Sequence, residues 1–473
     1  MLKRPLRILQ VNAADIGGGA ERIAWNLLRQ YRARGHSSWL VVGNKHRDDP
    51  DVMAIPRLHH SCWRRLWLNL ECRLKSHGAN GRAVSRARTL LRILASPRRA
   101  LYSRFGVEDF DYPGTHRLVD LPPDKPDIIH CHNLHGGYFD PRVIPWLSQR
   151  APLMLTLHDA WLLSGHCAHS FDCERWKTGC GQCPDLTIYP AINRDATAYN
   201  WRRKRGIFSR SRFFVATPSK WLMQKVEQSI LWNSVAEARI IHNGVDLTVF
   251  HPAKRRSLRA ALNLPQDAII LIFTAHEAQT NIFKDYITLQ RAMIRLGRSG
   301  DRGLLFLCLG GEASTERIGN LELRVIPYQT DTKTVAHYYQ AADLYVHASR
   351  ADTFPCSVLE ALACGTPVIA NAVGGIPEQI KGLRDLSVLS LESNDYGPNH
   401  ATGILVPAAD SEAMAEGIHR LAYDVPLRLQ MSRNASKDAR ERFDLNQQAE
   451  RYINWYKELI DAGLYMLAYI SLA

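Results

Sequence analysis

Two carboxylates eight residues apart, Asp352 and Glu360, stand in a stretch from Asp352 to Ile369 that reads as a loop, a helix and a strand. At that spacing each can accept hydrogen bonds from vicinal hydroxyls of the kind a sugar and a ribose offer. Backbone N–H groups at the helix start, around Pro355 to Val358, would meet anionic oxygens. Gly365-Thr366-Pro367 and Gly374-Gly375 pin the geometry of this loop. Taken alone, the pair could also suggest the acid and base of a glycoside hydrolase. Its place at a loop and helix start favours hydroxyl binding instead.

Gly17, Gly18 and Gly19 follow a strand and precede a helix that begins at Ala20-Glu21-Arg22. Glycines there let backbone N–H groups approach a phosphate, and the helix N-terminus adds favourable partial charge. The GxGxxG spacing is missing, so a plain turn is the alternative. A third group is Cys167, Cys173, Cys180 and Cys183, where Cys180-Gly181-Gln182-Cys183 has the CxxC spacing of tetrahedral metal sites. In a reducing cytosol clustered thiols favour metal over two disulfides. The expectation is a structural zinc, with His166 and His169 as competing ligands and free thiols as the alternative.

These groups need a frame, and the chain supplies it twice. Short apolar runs at Arg7 to Asn12, Trp39 to Val42, Ile128 to His132, Leu153 to His158 and Phe213 to Thr217 are separated by helical spacing or insertions. A second series runs through Ala268 to Thr274, Leu304 to Leu309, Leu323 to Ile326, Leu344 to His347, Pro367 to Ala370 and Ile404 to Val406. Buried strands alternating with helices predict parallel sheets, hence two α/β domains. The expected division is residues 1–250, 251–445 and a C-terminal helix, 446–473, that packs back through Tyr452, Trp455 and Tyr456. Ile240 to Pro252, with its Asn243-Gly244 turn, reads as the hinge.

A chain of 473 residues is too long for one core. It shows no apolar run of membrane-spanning length, its start reads as no signal peptide, and the eleven apolar residues from Gly463 are too few to span a bilayer. The chain is therefore expected in the cytosol. The net charge of +14 is local: Arg57 to Arg104 holds twelve Lys and Arg against Glu71, a net +11. Trp63, Leu66, Trp67, Leu70 and Leu74 follow helical spacing there, with Arg64, Arg65, Arg73 and Lys75 around the turn. Aromatic and aliphatic residues opposite cations favour an anionic membrane surface, and no RNA-binding signature accompanies the charge. An insertion near 57–120 that packs its stripe on the protein is the alternative.

Gly18-Gly19-Ala20-Glu21, His242-Asn243-Gly244-Val245-Asp246, Ala341-Ala342-Asp343, Ser349 and the run from Asp352 to Gly365 occur in order. With these motifs the chain resembles the retaining family 4 glycosyltransferases of the GT-B fold, over nearly its whole length apart from roughly residues 48 to 120. The resemblance implies two Rossmann-like domains with parallel sheets facing across a cleft. It implies a nucleoside diphosphate sugar on the C-terminal domain and a glycan or polyprenyl-diphosphate-linked acceptor on the N-terminal one. Asp352 would bind donor-sugar hydroxyls, Glu360 the ribose, and Gly18 and Gly19 would lie against the diphosphate and the reacting sugar. Lys284 would neutralise the leaving group, and His158, after a first-domain strand, would bond a sugar hydroxyl or the acceptor.

The implied catalytic residues are thus Asp352, Lys284 and His158, with Phe354, Pro355, Cys356 and Val358 completing the donor site. The family more often carries Glu at the position of Asp352. A glycine usually follows the lysine where Asp285 stands, and an expected arginine is missing, with His276 as a substitute. His130, His132 and His135 would line the acceptor side or serve as core and capping groups. No cofactor is needed for such chemistry. A cysteine-rich insertion, here 164–190, is similar to one in bacterial enzymes that build extracellular polysaccharides, including the colanic-acid type. The expected location is then peripheral, at the inner face of the cell membrane, without nucleic acid as a partner. The rival readings are a GT-B sugar-nucleotide epimerase or phosphorylase and, further off, a nucleic-acid-binding protein.

Overall fold

The computed structural model describes residues 4–56, 67, 70, 82–95, 97–274, 281–298, 303–384 and 396–463. The expectations for Trp63, Leu66, Leu74, His276 and most of the C-terminal tail fall outside them. The chain forms two units: residues up to Thr217 with Met223–Arg239 and those from Ile453 on, and Pro218–Leu222 with Ile240–Tyr452.

The first unit is built on β1 (Arg7–Ala14), β2 (Ser37–Asn44), β3 (Val52–Ala54), β4 (Ile128–Cys131), β5 (Leu153–Thr156), β6 (Phe213–Thr217) and β7 (Val235–Ile240). They lie in the order β3-β2-β1-β4-β5-β6-β7, with β1 through β6 paired in parallel. The second unit holds β8 (Ile269–Thr274), β9 (Leu304–Leu309), β10 (Ser314–Ile318), β11 (Leu321–Ile326), β12 (Leu344–His347), β13 (Val368–Asn371) and β14 (Gly403–Val406), ordered β10-β11-β9-β8-β12-β13-β14. Only the β10–β11 hairpin is antiparallel among these pairings.

Both sheets carry apolar side chains on both faces, as parallel sheets covered by helices must. On β8, Ile269, Leu271 and Phe273 enter one core while Ile270 and Ile272 enter the other. The two orders contain the same reversal, between β1 and β4 and between β8 and β12. At such a switch point the adjacent crossovers lie on opposite faces, which opens a crevice beyond the carboxyl ends of the strands. The glycine loop follows β1, His132 and His135 follow β4, His158 follows β5, and Ser349 and Asp352 follow β12.

Three strands escape the sequence reading. β3 has three residues, while β7 and β10 are only partly buried or exposed and lack a continuous apolar run. The division falls at Ile240, not after residue 250. The reason is local: Val245 N–H donates to Phe443 O, and a Cβ on Gly244 would come within 2.5 Å of Leu445 Cα. That ties the expected hinge segment to the second unit. The helix Leu445–Asp461 contributes Trp455 and Tyr456 to the first unit, where Tyr456 OH lies 3.0 Å from Tyr31 OH and 2.7 Å from His130 Nδ1.

Candidate active site

In the second unit, Lys284 is placed by backbone pairing. It forms an antiparallel bridge with Ser349, Asp285 N–H donates to Ala348 O, and Arg350 N–H donates to Phe283 O. Its Nζ then donates to Ser349 Oγ and Asp352 Oδ2, each at 3.1 Å. The loop bearing Asp352 is clamped from behind, because a Cβ on Gly374 would lie 1.8 Å from Asp352 O and one on Gly375 1.9 Å from Thr353 O. Gly374 also has φ +58°, a left-handed conformation that side chains resist.

Behind the ion pair lies a buried polar chain that the motifs did not reveal. His347 Nε2 is 3.0 Å from Ser349 Oγ and 3.6 Å from Asp352 Oδ2, and its Nδ1 is 2.8 Å from Tyr345 OH. Tyr345 OH continues to Thr274 Oγ1 at 3.2 Å, and Thr274 to Tyr339 OH at 3.1 Å. Tyr345 and His347 alternate along β12, so they share a face that Ser349 extends; an aromatic, a histidine and a serine at period two were the available signal. Burial would raise the Asp352 carboxyl, but the Lys284 charge and the bond and charge of His347 outweigh it and hold it well below the usual carboxylate range. Burial, aided by the Lys284 charge, lowers His347 to about 4. At neutral pH the site is therefore an ammonium–carboxylate pair resting on a neutral imidazole.

The helix Cys356–Ala363 begins after Pro355, whose carbonyl accepts from Gln379 Nε2 at 3.0 Å. Glu360 is buried on it, and burial followed by the charges of Glu360 and Asp352 raises the Tyr345 phenol. Of the expected donor set, Phe354 and Val358 place their side chains in the apolar core, and Phe354 stacks on His242 with ring centroids 5.1 Å apart. They can serve a ligand through their backbone, which is the role expected of the N–H groups around Pro355 to Val358. Pro355 has no N–H, so the donors at this helix start come from Cys356, Ser357 and Val358. Asp343 is structural, holding Arg259 Nη2 at 2.7 Å, Arg255 Nη1 at 3.1 Å and the N–H of Ile270 at 2.8 Å.

In the first unit Gly18 caps the helix Gly19–Ala33 without a side-chain bond, and a Cβ on it would come within 3.3 Å of Glu21 Oε2. His158 is half-buried, with its Nε2 3.0 Å from His132 Nδ1. His132 Nε2 reaches Gln10 Oε1 at 3.1 Å. With the Gln10 amide oxygen toward it, His132 donates from Nε2 and its Nδ1 faces His158 Nε2. Burial lowers His158 to about 4 and His130 to about 3, so both are neutral. His130 is a core group between Thr156 Oγ1 and Tyr456 OH. His135 differs: Asp159, to which sequence gave no role, lies 2.6 Å from its Nε2 and raises its pKa against burial.

The four cysteines of the zinc expectation lie in the loops between β5 and Thr197. Among the described residues no three His, Cys, Asp or Glu side chains come together as metal ligands. Cys167, Cys173, Cys180 and Cys183 are free thiols. Cys180 Sγ accepts from Gly165 N–H, and Cys183 Sγ donates to Asp185 O at 3.4 Å with His166 Nε2 at the same distance. The four thiols share one region: burial first, with neighbouring cysteines among the further causes, raises the Cys167, Cys180 and Cys183 thiols.

The repeated switch-point topology, with its ionic cluster beyond β12, defines a GT-B protein of the glycosyltransferase class. The comparisons agree. Residues 17–249 match the model of glycosyltransferase family 4, and residues 259–438 that of the glycosyl transferases group 1. The D-inositol 3-phosphate glycosyltransferase 1 of Catenulispora acidiphila is 30% identical over 72% of this chain and 74% of its own length. The chain belongs to the family 4, group 1 glycosyltransferases. The Escherichia coli K12 protein WcaC, by its description a colanic acid biosynthesis glycosyl transferase, is 28% identical over 52% of this chain. The chain spans 60% and 53% of the first two curated relatives. In fold it is similar to Anabaena HepE solved with UDP and glucose (14% identity, TM-score 0.60, 96% of this chain and all of the other). It is also similar to sucrose-phosphate synthase of Thermosynechococcus elongatus (18%, 0.59, 97% and 100%).

Proposed function

We propose that this protein transfers a sugar from a nucleoside diphosphate sugar to a glycan or lipid-linked acceptor with retention of configuration, in the making of a bacterial surface polysaccharide. The observation that carries the proposal is the Lys284–Asp352 pair at the carboxyl end of β12, with Glu360 on the following helix. An ammonium has three N–H donors. Two serve Ser349 and Asp352, and the third is assigned to a diphosphate oxygen, where charge grows as the sugar departs. Asp352 and Glu360 hold hydroxyls of the sugar and of the ribose, and the N–H groups from Cys356 to Val358 receive the diphosphate. His158 offers its acceptor nitrogen to a sugar hydroxyl, and Gly18 and Gly19 let backbone approach the reacting end. Rate comes from orientation and leaving-group stabilisation, with no protein base and no metal.

The likeness to a protein solved with UDP and to WcaC supports this reading. A thermal-shift screen of UDP-, GDP- and ADP-sugars tests it. A ligand at 100 times its Kd stabilises by about 2.7 kcal/mol, and no shift with any of them would sink the proposal. Turnover of labelled donor without acceptor would favour an epimerase.

Membrane docking belongs to the same proposal. The helices Arg82–Ala95 and Pro97–Arg104 expose Leu90, Ile93, Leu94 and Leu101, with Phe105 following and Arg98 and Arg104 beside them. Apolar groups among cations suit the face of an anionic bilayer. Among the described residues no helix is long and apolar enough to cross one. Sedimentation with anionic vesicles that is unchanged after Leu90, Ile93 and Leu94 are replaced by Ser would remove this part.

A further inference from the structure

The first unit contains a cavity of about 270 Å³ whose lining includes Leu134 and His135, two and three residues past His132. Phe110, Phe139 and Trp161, all buried, give its apolar lining, and Arg99, Asp109 and His135 are among its polar groups. Its walls come from segments flanking the basic and cysteine-rich insertions, brought close by a glycine. Gly106 has φ +71°, and a Cβ on it would lie 1.7 Å from Arg194 O. The position therefore requires glycine, and the required contact draws the 99–112 segment against 190–194.

The charged groups lining the cavity are all paired. Arg99 Nε forms an ion pair with Asp109, 2.8 Å from its Oδ2, and its Nη2 donates to Tyr112 OH. Glu108 accepts from Trp161 Nε1 at 2.6 Å and faces the buried Lys204 at 3.0 Å. His135 is matched by Asp159. A phosphate or carboxylate entering here would face as many anions as cations, each cation already neutralised, and would lose its hydration without an uncommitted partner. Hydroxyls differ, since they both donate and accept and can join existing pairs at their outer lone pairs and N–H groups. A ring with an apolar face and a polar edge fits a lining that combines aromatics with fixed ion pairs. The volume, below the roughly 300 Å³ at which small-molecule pockets begin, admits one ring.

We propose that this cavity binds the terminal, neutral sugar ring of the acceptor and rejects phosphorylated acceptors, unlike what the name of the D-inositol 3-phosphate enzymes states for those relatives. The inference rests on the reading that the acceptor is held by the first unit. The test is saturation-transfer NMR on the full chain with the methyl glycosides of glucose, galactose, mannose and fucose, each beside its phosphorylated counterpart or, where none exists, inositol phosphate. At least one neutral glycoside should bind, about tenfold tighter than any phosphorylated probe. Asn193→Trp, which fills the cavity, and Arg99→Ala, which breaks the Asp109 pair, should each weaken it about tenfold.

Thermal shifts with UDP, GDP and ADP on the same samples report whether the variants remain folded and whether the donor reading holds. Glycoside binding without any nucleotide binding would overturn the proposed function and leave the cavity's role standing. Nucleotide binding with glycoside binding unchanged in both variants would do the reverse. A phosphorylated probe that binds as well as the neutral ones, or no neutral probe binding at all, overturns the inference.

Discussion

Lys284 Nζ lies 3.1 Å from Asp352 Oδ2, and both side chains are largely withdrawn from solvent, 14% and 21% exposed. An ion pair so placed is set by the fold before any ligand arrives. Lys284→Met should remove leaving-group stabilisation and strand the Asp352 carboxylate. Loss of one preorganised donor costs about 10²–10³ in kcat, so initial rates with saturating donor should fall by that order. Asp352→Asn should lower kcat/KM while Lys284 keeps its bond to Ser349. If turnover survived the Asp352 change intact, the donor sugar lies elsewhere.

Stability should fall on mild acidification. His347 and His158 titrate near 4 and His130 near 3, below the ordinary value of 6.5, burial being the first cause in each. Because the folded pKa is depressed, the unfolded chain takes up protons first. The contribution is complete above about pH 6.5 and is lost as pH falls toward 4, at up to about 1.4 kcal/mol per pH unit for each histidine. Urea titrations across that range should show the slope, and His347→Gln should reduce it by one proton's worth. An unchanged slope in that variant would show that His347 is charged in the folded protein.

Lys204 is fully buried against the Trp161 ring, with its ammonium on Glu108 and on the carbonyls of Trp161 and Ser164 at 3.0 and 3.1 Å. Three donors meet three acceptors. Lys204→Met leaves Glu108 with an unbalanced charge and should destabilise the first unit by about 3–5 kcal/mol. Chemical denaturation measures it. Because Glu108 borders the cavity, acceptor KM should rise in the same variant.

Gly374→Ala forces a Cβ into the carbonyl of Asp352 at a positive φ. The loop must shift, at a cost of about 1–3 kcal/mol for the strained residue. Nucleotide-sugar affinity should fall more than global stability, which calorimetric binding beside a thermal melt would separate. Equal loss of both would mean that the loop does not carry the donor.

The elements whose signal is local were legible in the sequence. Continuous apolar runs gave most of the strands, and motif order gave the family and the pair Asp352 and Glu360, because buried parallel strands and tight loops constrain neighbouring residues. At Phe354 and Val358 the helix start indicated backbone donors, and only the structure shows that both side chains turn into the core. Spacing also grouped the four cysteines, but only loop packing sets what each sulfur touches. Chain position gave no hint that Asp159 pairs with His135 or that Glu108 pairs with Lys204, 96 residues away. The sequence by itself thus determined the two α/β units and the residue types available for chemistry. Tertiary structure alone decided which of them meet and in what charge state, because those depend on distances between strand ends that only sheet order and burial create.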